Sequence, residues 1–277
     1  MQERASSAAG HNEGARELLI ERPQKGVAVV TMNRAAARNS LSLSMIDGLH
    51  ATLSELAEDG GTAAIVLAAK GPAFSAGHDL KEMSSHRADA DKGLAFFENT
   101  MERCSGMMQA IVACPKPVIA AVQGTATAAG CQLVATCDLA VAAENAEFCT
   151  PGVNIGLFCS TPMVALSRNV SRKRAMEMLL LGEMLPASAA AEYGLVNRVV
   201  PKDKLMNEAL SLAGKIAEKS PATVATGKTA FYTQVEMPLF DAYAYASKVM
   251  VENMMARDAE EGIGAFLEKR KPKWKGG

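Results

Sequence analysis

Apolar residues recur along this chain in two rhythms, and their alternation predicts a layered fold. Hydrophobic runs at 17–21 and 26–32 flank a Pro- and Gly-containing stretch at 23–26, which predicts a hairpin. Residues 42–57 carry Met45, Ile46, Leu49, Leu53 and Leu56 three and four apart, the spacing of one helix face, and Gly60-Gly61 stops that helix. The unbroken apolar run 62–69, TAAIVLAA, predicts a strand buried on both faces. A second long helix is predicted over 91–112 from Leu94, Phe97, Met101, Cys104, Met108 and Ile111. Strands at 118–122 and 138–142 flank a small-residue segment, 126–135, whose composition predicts a closely packed helix. Short buried strands alternating with helices indicate an α/β core.

The last third reads differently. A helix at 171–181 closes at Gly182, and Ser188 is expected to cap another that ends near Gly194. A short strand follows at 196–200. Ser220-Pro221 has the form of an N-cap with proline at the first helical position, and helices are expected at 240–257 and 260–269. The expected organisation is a flexible start at 1–16, an α/β core at 17–200 and a helical region at 201–277.

Composition narrows the function. The 277 residues, 49% of them hydrophobic, exclude global disorder and suit one large domain or two modest ones. With 29 Lys+Arg against 30 Asp+Glu, the chain has no electrostatic footprint for nucleic acid. No apolar run approaches the ~18 residues that span a bilayer, so no membrane partner is expected. The first sixteen residues have no apolar stretch of a secretory signal, and Glu3 and Glu13 weigh against a transit peptide. The six cysteines (104, 114, 131, 137, 149 and 159) form no CxxC pair. They are expected to be free thiols in a reducing compartment, the cytoplasm or, in a eukaryote, the mitochondrial matrix. No metal site is expected.

Two glycine turns hold the candidate chemistry. FSAGHDLKEM (74–83) and VQGTATAAGCQL (122–133) each run from a buried strand through a small-residue turn into a helix start. Such turns leave backbone N–H groups without partners, and small side chains let a ligand approach them. Two donors that converge on one oxygen form an oxyanion hole, worth about 3 kcal/mol per donor to an enolate-like transition state.

The order of these motifs resembles the crotonase superfamily, the enoyl-CoA hydratases and isomerases. The resemblance rests on NRAAARNSLS (33–42), FSAGHDLKEM (74–83), KPVIAAVQGTATAAGCQLVATCDLAVA (116–142), TPGVNIGL (150–157), GLVNRVV (194–200) and EGIGAFLEKRKPKW (261–274). It covers the chain from about residue 17. It implies an α/β fold, a crotonase-like spiral of ββα turns, with a helical C-terminal trimerisation region that makes a homotrimer or a hexamer as a dimer of trimers. It implies an acyl-CoA thioester as ligand, with coenzyme A part of the substrate and no separate cofactor.

Carried over position by position, the oxyanion-hole N–H groups fall on His78 and Ala129, the second usually a glycine. The two catalytic glutamates fall on Gln132 and Gly152. Gln does not exchange a proton at neutral pH and Gly has no side chain, so both groups that perform hydration are replaced. Coenzyme A is expected along Ala37, Arg38, Ala76, His78 and Leu80, with Phe266 and Lys269 reaching it from a neighbouring subunit. Cys159 is a candidate nucleophile for a thioester or an acyl β-carbon, and the His78 ring a candidate proton carrier. Asp79 is expected to cap its helix or to pair with Lys81 or an arginine, and Glu147 is a weaker candidate acid.

Three functions follow: an enoyl-CoA hydratase/isomerase-type enzyme with an altered acid/base set, a non-catalytic acyl-CoA-binding or regulatory protein, and a thioester hydrolase or lyase using Cys159 or His78. Gln132→Glu with Gly152→Glu is expected to raise hydration.

Overall fold

The computed structural model describes residues 16–276. The extended start expected for 1–16 lies outside them except for Arg16.

Strands β1 (Leu18–Gln24) and β2 (Gly26–Met32) form the expected hairpin, turning at Lys25. Helix α1 (Leu43–Glu58) follows, with the Ser42 hydroxyl accepting from the Met45 N–H as its cap. Strand β3 (Thr62–Ala69) has the predicted bounds. The chain then repeats one pattern three times, a long strand, a short strand and a helix. β3 leads to β4 (Ala73–Ser75) and α2 (Leu80–Ser85), followed by the long α3 (Leu94–Ala113). β5 (Val118–Val122) leads to β6 (Thr125–Thr127) and α4 (Ala129–Thr136). β7 (Leu139–Ala143) leads to β8 (Glu147–Cys149) and α5 (Ser160–Asn169). After these come α6 (Arg172–Leu181), β9 (Leu185–Pro186), α7 (Ala187–Tyr193), β10 (Arg198–Val200), α8 (Leu205–Ala217), α9 (Pro221–Gln234), α10 (Leu239–Met254) and α11 (Arg257–Leu267).

The long strands form one sheet in the order β1-β2-β3-β5-β7-β10, parallel from β2 onward. The short ones form a second sheet, β4-β6-β8-β9, in which β4, β6 and β8 are parallel. Parallel pairing brings the chain out of β4, β6 and β8 on the same side. The turns at 76–79, 128–129 and 150–159 therefore emerge at one sheet edge, which positions the candidate site.

Period-two alternation sorts each long strand between two cores. Ile65 and Leu67 of β3 face one apolar cluster with α1, α3 and α4. Ala64, Val66 and Ala68 face a second, closed by Leu205, Ala209 and Ala213 of α8. A polar node ties α9 to this body. Lys228 Nζ donates to the carbonyls of Ile111 and Lys116 and to Asp138 Oδ2, while the Tyr232 hydroxyl donates to Asp138 Oδ1.

Three expectations are corrected. The segment 126–135 is not one helix, because Thr125–Thr127 pairs with β4 and β8 and the helix begins only at Ala129. Ser188 is not a cap: α7 begins at Ala187 after Pro186, with no side-chain cap bond, so Ser188 lies within its first turn. The strand expected at 196–200 starts at Arg198, where pairing to β7 begins. The Ser220-Pro221 cap holds, the Ser220 hydroxyl accepting from the Thr223 N–H at 3.1 Å.

Candidate active site

The turn after β4 is fixed by the segment 38–41. Ala76 N–H donates to Arg38 O at 3.0 Å, Leu41 N–H to Gly77 O at 2.8 Å and Asp79 N–H to Leu41 O at 3.2 Å. Asn39, fully buried, donates from Nδ2 to the carbonyls of Lys70 and Ala73 and so holds that segment down. Asp79 performs both expected tasks. Its Oδ1 accepts from the N–H groups of Lys81 and Glu82 at the start of α2, and its Oδ2 pairs with Arg34 at 2.7 Å. Burial pushes the Asp79 carboxyl up, but Arg34, the Glu82 N–H and the Ser40 hydroxyl outweigh it and hold the pKa below the usual carboxylate value. Nothing local marks Arg34 as the partner, since it lies 45 residues away.

The turn after β6 meets this one. Ala128 N–H donates to Cys149 O at 2.9 Å, and Gln132 N–H to Ala128 O at 3.0 Å, which opens α4. The two turns touch main chain to main chain. A Cβ placed on Gly77 would stand 3.1 Å from Ala129 N and 2.8 Å from Ala128 Cβ, and one on Gly130 would stand 2.2 Å from Ser75 O. Glycine is therefore required at both positions. Flanking residues of both turns are hydrogen-bonded, but neither the His78 N–H nor the Ala129 N–H donates to any acceptor among the described residues. The alanine at 129 costs no strain, because the left-handed residue is its neighbour Ala128, with φ 50° and ψ −121°.

Gln132 is 5% exposed, and its Oε1 has no hydrogen-bond partner among the described residues. His78 Nε2 is likewise buried and unpartnered. Burial pulls the His78 imidazole down from 6.5 to about 4, so it is neutral at pH 7 and a weak base there. Gly152 lies in a short 3-10 turn, Pro151–Ile155, and is crowded by the start of α5. A Cβ on it would lie 2.9 Å from Cys159 Sγ, 3.0 Å from Leu157 O and 3.3 Å from Cys159 N. Burial pushes the Cys159 thiol up, and the Gly152 amide opposes this. Cys131, Cys149 and Cys159 are within electrostatic reach of one another, and all six cysteines are buried and free. Glu147 is exposed on β8 while Phe148 and Cys149 are buried, so its side chain points away from the core. Asn154 donates to Gly182 O at 3.1 Å, which gives it a structural task.

Of the residues expected to hold coenzyme A, Arg38 and Ala76 are joined through their main chains, with Ala37 directly before them. Arg38 is exposed and left-handed at φ 52°, and Leu80 is exposed at the start of α2. Phe266 and Lys269 are exposed at the end of α11, and no hydrogen bond or ion pair among the described residues joins them to these turns.

Residues 22–277 match the sequence profile described as enoyl-CoA hydratase/isomerase. The rat protein named enoyl-CoA hydratase domain-containing protein 3, mitochondrial, is 45% identical over 262 residues, covering 95% of this chain and 86% of its own. The crystal structure of an enoyl-CoA hydratase from Mycobacterium smegmatis superposes with a TM-score of 0.89 at 51% identity, covering 94% of this chain and 99% of that one. The crystal structure of human enoyl-CoA hydratase domain-containing protein 3 gives a TM-score of 0.88 at 44% identity, covering 94% and 100%. The two sheets, their strand order and these neighbours define a crotonase fold. The chain belongs to the enoyl-CoA hydratase/isomerase family.

Proposed function

We propose that the chain binds an acyl-CoA thioester and polarises its carbonyl between the His78 and Ala129 N–H groups, so that an enolate is stabilised there. One observation carries the reading: these two donors have no partner among the described residues, on turns that touch at Gly77. A developing oxyanion would satisfy both at once. Arg38 pairs with a phosphate of coenzyme A, and Ala37, Ala76 and Leu80 lie along the rest of it. Coenzyme A enters as part of the substrate, with no separate cofactor.

Gln132 and Gly152 stand at the positions of the two family glutamates and leave the pocket without a carboxyl pair. This favours a thioester-activating enzyme of altered acid/base chemistry, or a binding protein, over an ordinary hydratase. Subunits assemble as a homotrimer, or a hexamer as a dimer of trimers, supported by the exposed apolar side chains of Phe240, Met255 and Phe266 on the C-terminal helices. Phe266 and Lys269 then approach coenzyme A on a neighbouring subunit. The matrix of the mitochondrion is the compartment in a eukaryote, supported by the names of the animal relatives; otherwise it is the cytoplasm. No helix among the described residues is long and apolar enough to cross a membrane.

Calorimetric titration with butyryl-CoA and crotonyl-CoA tests the reading. Micromolar binding is expected, with loss of the crotonyl-CoA conjugated absorbance far slower than in a hydratase with both glutamates. No binding of either ester would reject it.

A further inference from the structure

We infer that Arg34 is a positioning residue, which aims the His78 N–H at the acyl oxygen by fastening Ser40 to Asp79. The inference deepens the acyl-thioester reading above and rests on it. The direction of the His78 donor is set by its own peptide group. Gly77 O accepts from the Leu41 N–H at 2.8 Å. The Gly77–His78 peptide is planar and trans, so its N–H points opposite to its carbonyl, away from Leu41. One residue on, the Asp79 N–H donates back to Leu41 O at 3.2 Å, and Leu41 and His78 pair as a parallel bridge. The aim of the His78 N–H therefore follows the position of residues 39–41.

Arg34 holds that segment against the turn it aims. Its Nη1 donates to Ser40 O at 3.2 Å, to Ser40 Oγ at 2.9 Å and to Asp79 Oδ2 at 2.7 Å. Ser40 precedes Leu41 and Asp79 follows His78, so one guanidinium nitrogen grips a neighbour of each member of the bridge. The Ser40 hydroxyl closes the triangle by donating to Asp79 Oδ2 at 3.1 Å. Glu17 steadies the guanidinium from a second nitrogen, its Oε1 lying 3.3 Å from Nε. The Arg34 main chain joins in, donating to Asn39 Oδ1 at 2.9 Å. A lysine has one compact ammonium and does not reproduce this two-sided fork. The other donor needs no such brace. The Ala129 N–H shares its peptide with Ala128 O, which accepts from the Gln132 N–H at 3.0 Å in the first turn of α4, so the helix itself fixes its direction. Loss of Arg34 thus releases one donor of the two.

The test is the infrared carbonyl stretch of crotonyl-CoA labelled with carbon-13 at the thioester carbonyl, bound at saturation to the full chain, with Kd from calorimetry. Wild type is expected to lower the stretch relative to the free ester. Arg34→Met loses about half of that lowering, because one of two donors is misaimed. A hydrogen bond to a neutral carbonyl contributes little to affinity, so Kd rises by less than about tenfold. Arg34→Lys recovers part of the lowering. Lys228→Met, which breaks a buried ion pair away from these turns, keeps all of it. Undiminished lowering in Arg34→Met overturns the proposal and leaves the two-donor reading intact. An equal loss in Lys228→Met also overturns it, since the loss is then a general effect of destabilisation. If Arg34→Met does not fold, Asp79→Asn is read in the same way, because it keeps an acceptor for the start of α2 and removes the ion pair. Wild type that binds crotonyl-CoA with an unlowered stretch, or binds no ester, overturns the proposal together with the reading beneath it.

Discussion

The sulfur of Cys159 lies 2.9 Å from where a side chain on Gly152 would start, too close for a Cβ there. Glycine at 152 and cysteine at 159 are thus a matched pair. Leu157 O and Cys159 N also close on that position, at 3.0 and 3.3 Å.

A side chain at 152 requires this loop to shift, so the gain in hydration expected of Gln132→Glu with Gly152→Glu depends on that movement. Gly152→Ala is expected to lower stability by ~1–3 kcal/mol through overpacking. Cys159→Ala in the same chain recovers part of the loss, with a coupling of about 1 kcal/mol. Urea unfolding of the two single variants and the double variant measures this. Additive losses would show that the two positions are independent.

Ala128 holds a backbone conformation suited to glycine, with φ 50° and ψ −121°. Ala128→Gly is expected to stabilise the chain by ~1 kcal/mol, relief of strain exceeding the added freedom of the unfolded chain. A rise in the urea midpoint at unchanged m-value is the readout. A fall would show that the Ala128 methyl contributes more by packing than it costs in strain.

His78 gives stability a dependence on mildly acidic pH. Its folded pKa, about 4, lies below the ordinary 6.5, so the unfolded chain binds the proton more readily. The stability it contributes is complete above pH 6.5 and is lost as pH falls toward 4. For this partly exposed residue the loss is ~2–3 kcal/mol. Denaturant titrations across that window should show the slope in wild type and a flatter one in His78→Phe. Equal slopes would place the protonating group elsewhere.

Lys228 pairs with Asp138 at 2.7 Å from a side chain that is 6% exposed. Lys228→Met removes the charge that Asp138 faces and the donor to the carbonyls of Ile111 and Lys116. It is expected to cost ~3 kcal/mol, because a buried carboxylate is left behind. Thermal unfolding measures the loss. An unchanged midpoint would mean that Asp138 is already satisfied by Tyr232 and the Val118 N–H.

Local pattern alone determined much of this protein. The hairpin, β3, β5, α1, the Ser220-Pro221 start of α9 and the glycine stop at 182 are all written in neighbouring residues. Apolar period and cap chemistry act over a few positions, so they are legible without coordinates. The motif order also identified the family. Tertiary structure decided the rest. Three residues, Thr125–Thr127, have too short a period to declare a strand and become one only by lying between β4 and β8. Arg34 finds Asp79, and Lys228 finds Asp138 at a separation of 90 residues, because parallel strand order brings distant segments together. The same stacking seats Cys159 against Gly152, a contact set by how the chain leaves β8 and enters α5 and not by any local preference of either residue.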